Sequence, residues 1–237
     1  MNFYNETSLA CSKLITNAYS TSFSMGIKAF DKALHEPIYA IYGFVRFADE
    51  IVDSFHDHDK KDLFERFKAD TYAAIDEGIS LNPILHAFQR VFHKYQIDRE
   101  HVDLFLRSME WDLKRNDYDR QGFEDYVVGS AEVVGLMCLR VFADGDDTRY
   151  QALLPSARRL GAAFQKINFL RDLKDDFEEK GRTYFPGLDM TQFTETTKKS
   201  IESEIESDFK AAHIGILQLP RSSRLGVHVA YIYYLRL

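Results

Sequence analysis

Residues 39–55 read YAIYGFVRFADEIVDSF. Wound at 3.6 residues per turn, the stretch is apolar almost all the way round, the pattern of a helix inside a core. Yet Arg46, Asp49, Glu50 and Asp53 lie within it. An unpaired carboxylate in apolar surroundings costs several kcal/mol, so this helix needs a cation close by. The reading that satisfies both facts makes one side of the helix the wall of a cavity, with the counter-charge arriving alongside a ligand.

The rest of the chain fits a helical fold around such a cavity. Its 237 residues are 45% hydrophobic, enough for a substantial core, and 12 Gly with 5 Pro give little turn punctuation. Apolar residues recur at three- and four-residue spacing with no strand-like alternation, which predicts an all-α protein. We expect a single domain over residues 1–237, since the sequence shows no repeat period and no long low-complexity tract. Cys11 and Cys138 stand far apart, so neither a disulfide framework nor a metal knuckle is expected, and neither is a site candidate. No leader-like opening and no run of about 18 uninterrupted apolar residues is read, so the expectation is a soluble, cytoplasmic protein. A net charge of −7 argues against nucleic acid as a partner. It leaves room for an anionic substrate held through metal ions.

Element signals follow. Pro37 and Pro83 are read at first helical positions, Asp98 as the cap of the helix that follows it, and Gly122 as preceding a long apolar helix to about Phe142. DGDDT at 144–148 turns the chain into a helix from about Thr148 to Glu179, ended by Gly181. After a Thr-rich break at 189–197 come two helices, about 198–217 and 222–237. The last has no cap or polar tail, and the expectation is that the natural C-terminal end is missing.

A second stretch, FQKINFLRDLKDDFEEKGRTYFP at 164–186, carries a polar stripe. At about 100° per residue, Gln165, Asn168, Asp172 and Asp176 fall within roughly 80°, with Asp175 at the edge. Tyr42, Arg46, Asp49 and Asp53 fall within roughly 60° on the first helix. Carboxylates four apart on one face repel, the more so when buried. Oxygen donors without His or Cys suit a hard cation, and Mg²⁺ keeps waters and completes its shell with substrate phosphate oxygens. Arg46 and Arg171 supply forks that fit phosphate. Two facing acidic stripes therefore predict a metal cluster clamping a diphosphate. A single DxxxD is most often a solvated face or a salt-bridge ladder; two such stripes, one in apolar surroundings, are harder to read that way.

Ala18-Tyr19-Ser20-Thr21-Ser22-Phe23, YAIYGFVRFADEIVD, YVVGSAEVVGLM and QKINFLRDLKDDFEEKGRTYFP, in this order, resemble the successive signatures of the squalene/phytoene synthase family, closest to bacterial phytoene or dehydrosqualene synthases. The resemblance implies an isoprenoid synthase fold, a single helical bundle around a central cavity. It also implies head-to-head condensation of two prenyl diphosphates through a cyclopropyl diphosphate, in carotenoid synthesis, with geranylgeranyl diphosphate to phytoene preferred over the farnesyl-based squalene or dehydrosqualene reactions. By the same resemblance Asp49, Asp53, Asp172 and Asp176 are the catalytic acids and, with Asn168, the metal ligands, while Tyr19, Ser20, Thr21, Ser22, Tyr42, Arg46, Gln165 and Arg171 line the substrate. Mg²⁺ is the implied cofactor, with Mn²⁺ as substitute, and NADPH is the less expected one. Peripheral membrane association would serve product release. Thr21, Val128 and Glu132 depart from the family pattern, which more often has Lys, Tyr and Gly there. The competing readings are a class I terpene cyclase, for which DDxxD text would be expected, and a non-catalytic relative acting as an interaction protein, for which one stripe should have decayed.

Overall fold

The computed structural model describes residues 2–114, 118–180, 185 and 194–237, the side chains of 21–22 and 174–180 excepted. Among the described residues every regular element is helical. In chain order they are α1 (Asn2–Tyr19), α2 (Thr21–Lys28), α3 (Lys32–Ser54), α4 (Lys60–Glu77), α5 (Pro83–Lys94), α6 (Arg99–Asp112), α7 (Arg120–Val127), a π-turn (Val128–Glu132), α8 (Val133–Ala143), α9 (Asp147–Lys180), α10 (Glu195–Ile216) and α11 (Arg221–Tyr234).

The quoted stretch forms most of α3, which packs against α1, α4, α5, α6 and α8. Phe44 is its anchor, fully buried and stacked on Phe88 with ring centroids 4.0 Å apart, while Phe105 approaches at 5.3 Å. Burying a phenyl side chain of this kind contributes about 2–3 kcal/mol before any ring–ring term. The facing side of α1 is small and hydroxylic. Ser8, Ser12 and Thr16 recur every fourth residue, are all buried, and donate back to the carbonyls of Tyr4, Ser8 and Ser12. With the hydroxyls satisfied locally, α1 can lie close against α3 at Gly43 without stranding a polar group.

Three details differ from the sequence reading and one agrees. Pro37 is the sixth residue of α3, which begins at Lys32 behind the N-cap residue Asp31; the helix forgoes one hydrogen bond to the Ala33 carbonyl there. Pro83 does sit at the first position of α5, with Asn82 capping the N–H of Ile84. Asp98 occupies the cap position of α6, but Arg140 takes its carboxylate, with Nη2 donating to Oδ2 at 2.9 Å. The apolar helix read from Gly122 to Phe142 begins two residues earlier, where Asp119 caps the Gly122 N–H at 2.7 Å, and is broken by the π-turn. Residues 120–143 are long and apolar enough to cross a membrane, and three-fifths of an apolar 18-residue window within them is buried inside the fold. The helix stop read at Gly181 and most of the Thr-rich break lie outside the described residues.

Beyond the left-handed turn at Asp144 and Gly145, α9 runs back along the π-turn and α8 and then pairs with α10. Charges on the α9–α10 seam fix the register: Lys166, itself buried, donates to Glu204 at 2.6 Å and to Asp208 at 2.7 Å, and Arg159 reaches Asp208 at 2.9 Å. Two glycines permit close approaches around the π-turn. A Cβ on Gly129 would stand 2.6 Å from the Leu104 carbonyl and 2.7 Å from Ser108 Cβ, and one on Gly161 would stand 2.8 Å from the Ala131 carbonyl. Both neighbours include backbone, which yields little. Gly129→Ala should therefore cost about 1–3 kcal/mol by overpacking. Urea unfolding should show a lowered midpoint at unchanged slope, and a midpoint equal to that of the parent would refute the close contact.

Candidate active site

A cavity of about 300 Å³ runs through the bundle between α2, α3, α8, α9, α10 and α11. Its deep end is apolar, with Phe30, Ile38, Phe142, Leu153 and Leu219 on its surface and Phe30 leaning on Phe142 at 5.2 Å. The other end is polar. Ser20, Tyr42 and Asp49 face Gln165, Asn168 and Tyr234 there. The residues of both sequence stripes that reach the cavity do so from opposite walls, α3 and α9.

Asp49 has 31% of its side chain uncovered, and that part faces the cavity. Burial pushes its carboxyl up to about 8, opposed by Arg46 and reinforced by the carboxylates of Asp53, Asp112 and Glu50. Arg46 is thus the cation that the opening stretch required, but it is shared. Its Nη2 donates to Glu50 at 2.9 Å, its Nη1 lies 3.7 Å from Asp49, and its plane rests 4.6 Å from the Tyr19 ring. The Nε of Arg46 is buried without a hydrogen-bond partner, a donor with nothing yet to bind. Tyr42 stacks on Phe23 at 4.3 Å and hydrogen-bonds Ser20; burial raises its hydroxyl pKa despite that bond.

Several predicted residues sit differently from expectation. Asp53 is exposed although its neighbours Ile51 and Val52 are buried; its charge still reaches Asp49. On α9, Gln165 and Asn168 face the cavity, whereas Asp172 is gripped by its neighbour Arg171 through two hydrogen bonds of 2.6 Å. Acid and base expected to meet separate partners neutralise each other here. Tyr19 is half exposed, and Ser20 caps α2 by accepting from the Phe23 N–H. The side chains of Thr21, Ser22, Asp175 and Asp176 lie outside the described residues.

Three residues were given no role from sequence: Tyr234 and Ser130 were not picked out, and Asp112 was left unassigned. Tyr234 on α11 closes the mouth, stacked on Phe164 at 4.1 Å and hydrogen-bonded to Asn168, with its phenol pKa raised first by burial and then by Tyr42. Asp112 on α6 is buried, accepts from Tyr126 at 2.8 Å and lies near enough to Asp49 to raise its pKa. Ser130 in the π-turn lines the cavity with a buried hydroxyl oxygen that has no partner. Cys138 also lines it, as an inert thiol that burial pushes up to about 12.

A helical bundle around a cavity with an apolar floor and an acidic mouth, an arginine beside the acid, is the architecture of the isoprenoid synthase fold. The family profile described as squalene/phytoene synthase matches residues 16–237, and the chain belongs to that family. It is 29% identical over 188 residues to the bifunctional lycopene cyclase/phytoene synthase of Blakeslea trispora, covering 70% of this chain and 31% of that protein. It is 27% identical over 197 residues to 4,4'-diapophytoene synthase of Staphylococcus haemolyticus, covering 82% of this chain and 66% of that one. The chain thus spans between a third and two thirds of the length of these curated relatives. Among solved structures, a dehydrosqualene synthase with bound ligand superposes with a TM-score of 0.87 at 21% identity, covering 98% of this chain and 85% of that one. Squalene synthase HpnC from Alicyclobacillus acidocaldarius gives 0.84 at 18%, with 98% and 92% covered. These two show the shared fold.

The raised pKa of Asp49 carries a pH signature. The carboxyl is protonated more readily in the folded chain than in the unfolded one, where its pKa is near 3.8. Its stabilising contribution is therefore full below pH 3.8 and lost as pH rises through about 8. Without divalent cations, Asp49→Asn should melt progressively higher than the parent from about pH 4 to pH 8, with a constant gap above. A pH-independent gap in melting temperature would show that Asp49 is not desolvated.

Proposed function

We propose that the chain condenses two prenyl diphosphates head to head, with geranylgeranyl diphosphate as substrate and phytoene as product, through a cyclopropyl diphosphate. Over the two steps two diphosphates and two protons leave. The observation that supports this most is the cavity itself: one bore, apolar at the floor, with the Asp49 carboxyl of α3 and the Gln165 and Asn168 amides of α9 at its polar end and the Arg46 guanidinium beside Asp49.

The donors at the mouth fit a hard divalent cation. Asp49, Asp53, Asp172 and Asn168 offer only oxygen, and burial holds the Asp49 carboxyl near 8 beside other acids, the condition of a carboxylate lacking a cation. An ion such as Mg²⁺ takes few protein ligands and shares the rest of its shell with water and phosphate. When bound, the ion neutralises the diphosphate and assists its departure. Asp176, on the same stripe, is proposed as a further ligand.

The chain's own groups do the rest. Arg46, oriented by Glu50 and carrying an unpaired Nε–H, donates to the diphosphate oxygens. Arg171 exchanges Asp172 for phosphate, and so frees that carboxylate as substrate enters. Tyr42, Ser20 and Gln165 border the head of the prenyl chain; the apolar bore below excludes water from the allylic cation until carbon attacks it. Phe30 and Phe142 set the floor, and so the chain length accepted.

The test is product analysis by mass after incubation with geranylgeranyl or farnesyl diphosphate and Mg²⁺, with and without NADPH. A C40 polyene formed without reductant is expected. Asp53→Asn and Asp172→Asn should each lower turnover by orders of magnitude, while the exposed Asp57→Asn should leave it near the parent value. Near-parent turnover in Asp53→Asn or Asp172→Asn would remove these stripes from the chemistry. Because the Asp49 proton must leave for a cation to bind, calorimetry of Mg²⁺ with a prenyl thiodiphosphate at pH 7 should release close to one proton, measured in two buffers of different ionisation enthalpy.

A further inference from the structure

The last turn of α3 carries acids on an end that the helix does not secure by itself. Asp49, Glu50 and Asp53 all fall in its final six residues, where the helix dipole is negative and disfavours further anions. That turn has no basic residue. Its C-cap, Phe55, lies at φ −83° and ψ 55° rather than in the left-handed region from which a helix end folds back onto its own carbonyls. The last carbonyls of a helix have no partners within it. Of these, Ser54 accepts from the His56 N–H at 2.9 Å.

The cation comes from the next helix. Lys60 reaches back across the loop, and its Nζ donates to the carbonyl of Val52 at 2.9 Å and to that of Asp53 at 3.1 Å. Lys60 is half-buried, whereas residues 56–59, between it and α3, are all exposed. It is also the first residue of α4, whose positive N-terminal end disfavours a cation. Asp59 already caps that end, accepting from the Asp62 N–H at 3.1 Å. The ammonium is badly placed for its own helix and well placed for the neighbouring one. A local preference broken in this way is expected where another demand overrides it.

We propose, resting on the cation site put forward above, that Lys60 is a positioning residue for divalent-cation binding. By closing the end of α3 it fixes the backbone that carries the Asp53 carboxylate, one turn beyond Asp49. Its charge works against this. An ammonium bound to the Asp53 carbonyl repels a divalent cation, so an effect through charge alone would make the loss of Lys60 tighten the cation. Positioning has the opposite sign. With the clamp gone the last turn frays, and a ligand held in its competent place for only part of the time binds more weakly in proportion.

Lys60→Met keeps the stem and removes the ammonium, a change that α4 tolerates because its N-terminus sheds a cation. Lys60→Arg keeps a cation and its donors. Calorimetric titration of Mg²⁺ in the presence of a prenyl thiodiphosphate reads the cation without any turnover. Lys60→Met should weaken Mg²⁺ about tenfold, and Lys60→Arg should recover most of the loss. In an Asp53→Asn background Lys60→Met should not weaken Mg²⁺ further, because the ligand it positions is gone. Hydrogen exchange of the ligand-free chain should quicken about tenfold over residues 49–55 in Lys60→Met, while α5 keeps the parent rate. Mg²⁺ affinity that is unchanged or tighter in Lys60→Met would overturn the proposal. So would a loss that persists undiminished in the Asp53→Asn background, or exchange over 49–55 that matches the parent. A parent chain without Mg²⁺-dependent thiodiphosphate binding would remove the cation site itself, and the role of Lys60 with it.

Discussion

A hollow of about 300 Å³ through the middle of a helical bundle is the constraint on which the other contacts depend. Protein interiors pack to the density of organic crystals, and helices bordering a void forfeit dispersion contacts on that side. The walls stay apart because each is pinned from behind. Phe44 locks α3 onto Phe88 and Phe105, Gly129 seats the π-turn against α6, and the buried Lys166–Asp208 pair ties α9 to α10. None of these groups lines the bore.

Electrostatics at the mouth follow from the same hollowness. Asp49 is close to other acids and partly withdrawn from water, and the Arg46 guanidinium beside it is divided between it and Glu50. On the opposite wall Arg171 and Asp172 satisfy each other. The ligand-free mouth is therefore a set of temporary pairings, strained on α3 and relaxed on α9. An anion accompanied by divalent cations would redistribute both sets.

Much of this was legible in the sequence because helical periodicity fixes the angle at which a residue leaves its helix. Tyr42, Arg46 and Asp49 on one helix and Gln165 and Asn168 on another could be assigned to shared faces by arithmetic, and the cavity receives four of them, all but Arg46. Angle says nothing about height along the axis. Asp53 shares the angle of Asp49 but lies one turn further along the helix, and there it meets solvent. Partner choice is equally hidden: Asp98 stands at a cap position, yet Arg140, 42 residues away, outcompetes the backbone for it. Tyr234 was missed because α11 reaches the mouth only through the tertiary fold, and no local pattern marks a tyrosine that will stack on Phe164.

The π-turn has a consequence for how one helical rod can serve two cores. Upstream of it, Phe123, Tyr126 and Val127 pack with Phe169 and Phe185; downstream, Val133, Leu136 and Met137 join the main core around α3. An α-helix carries one azimuth for its apolar side, whereas a π-turn holds an extra residue in the winding and offsets everything after it by about a third of a revolution. The rod behaves like a shaft with a keyed joint, each half indexed to a different neighbour. Removing one residue between 128 and 132 would leave an unbroken, apolar and still helical segment, but with the two halves out of phase. The fold could then satisfy only one of its cores.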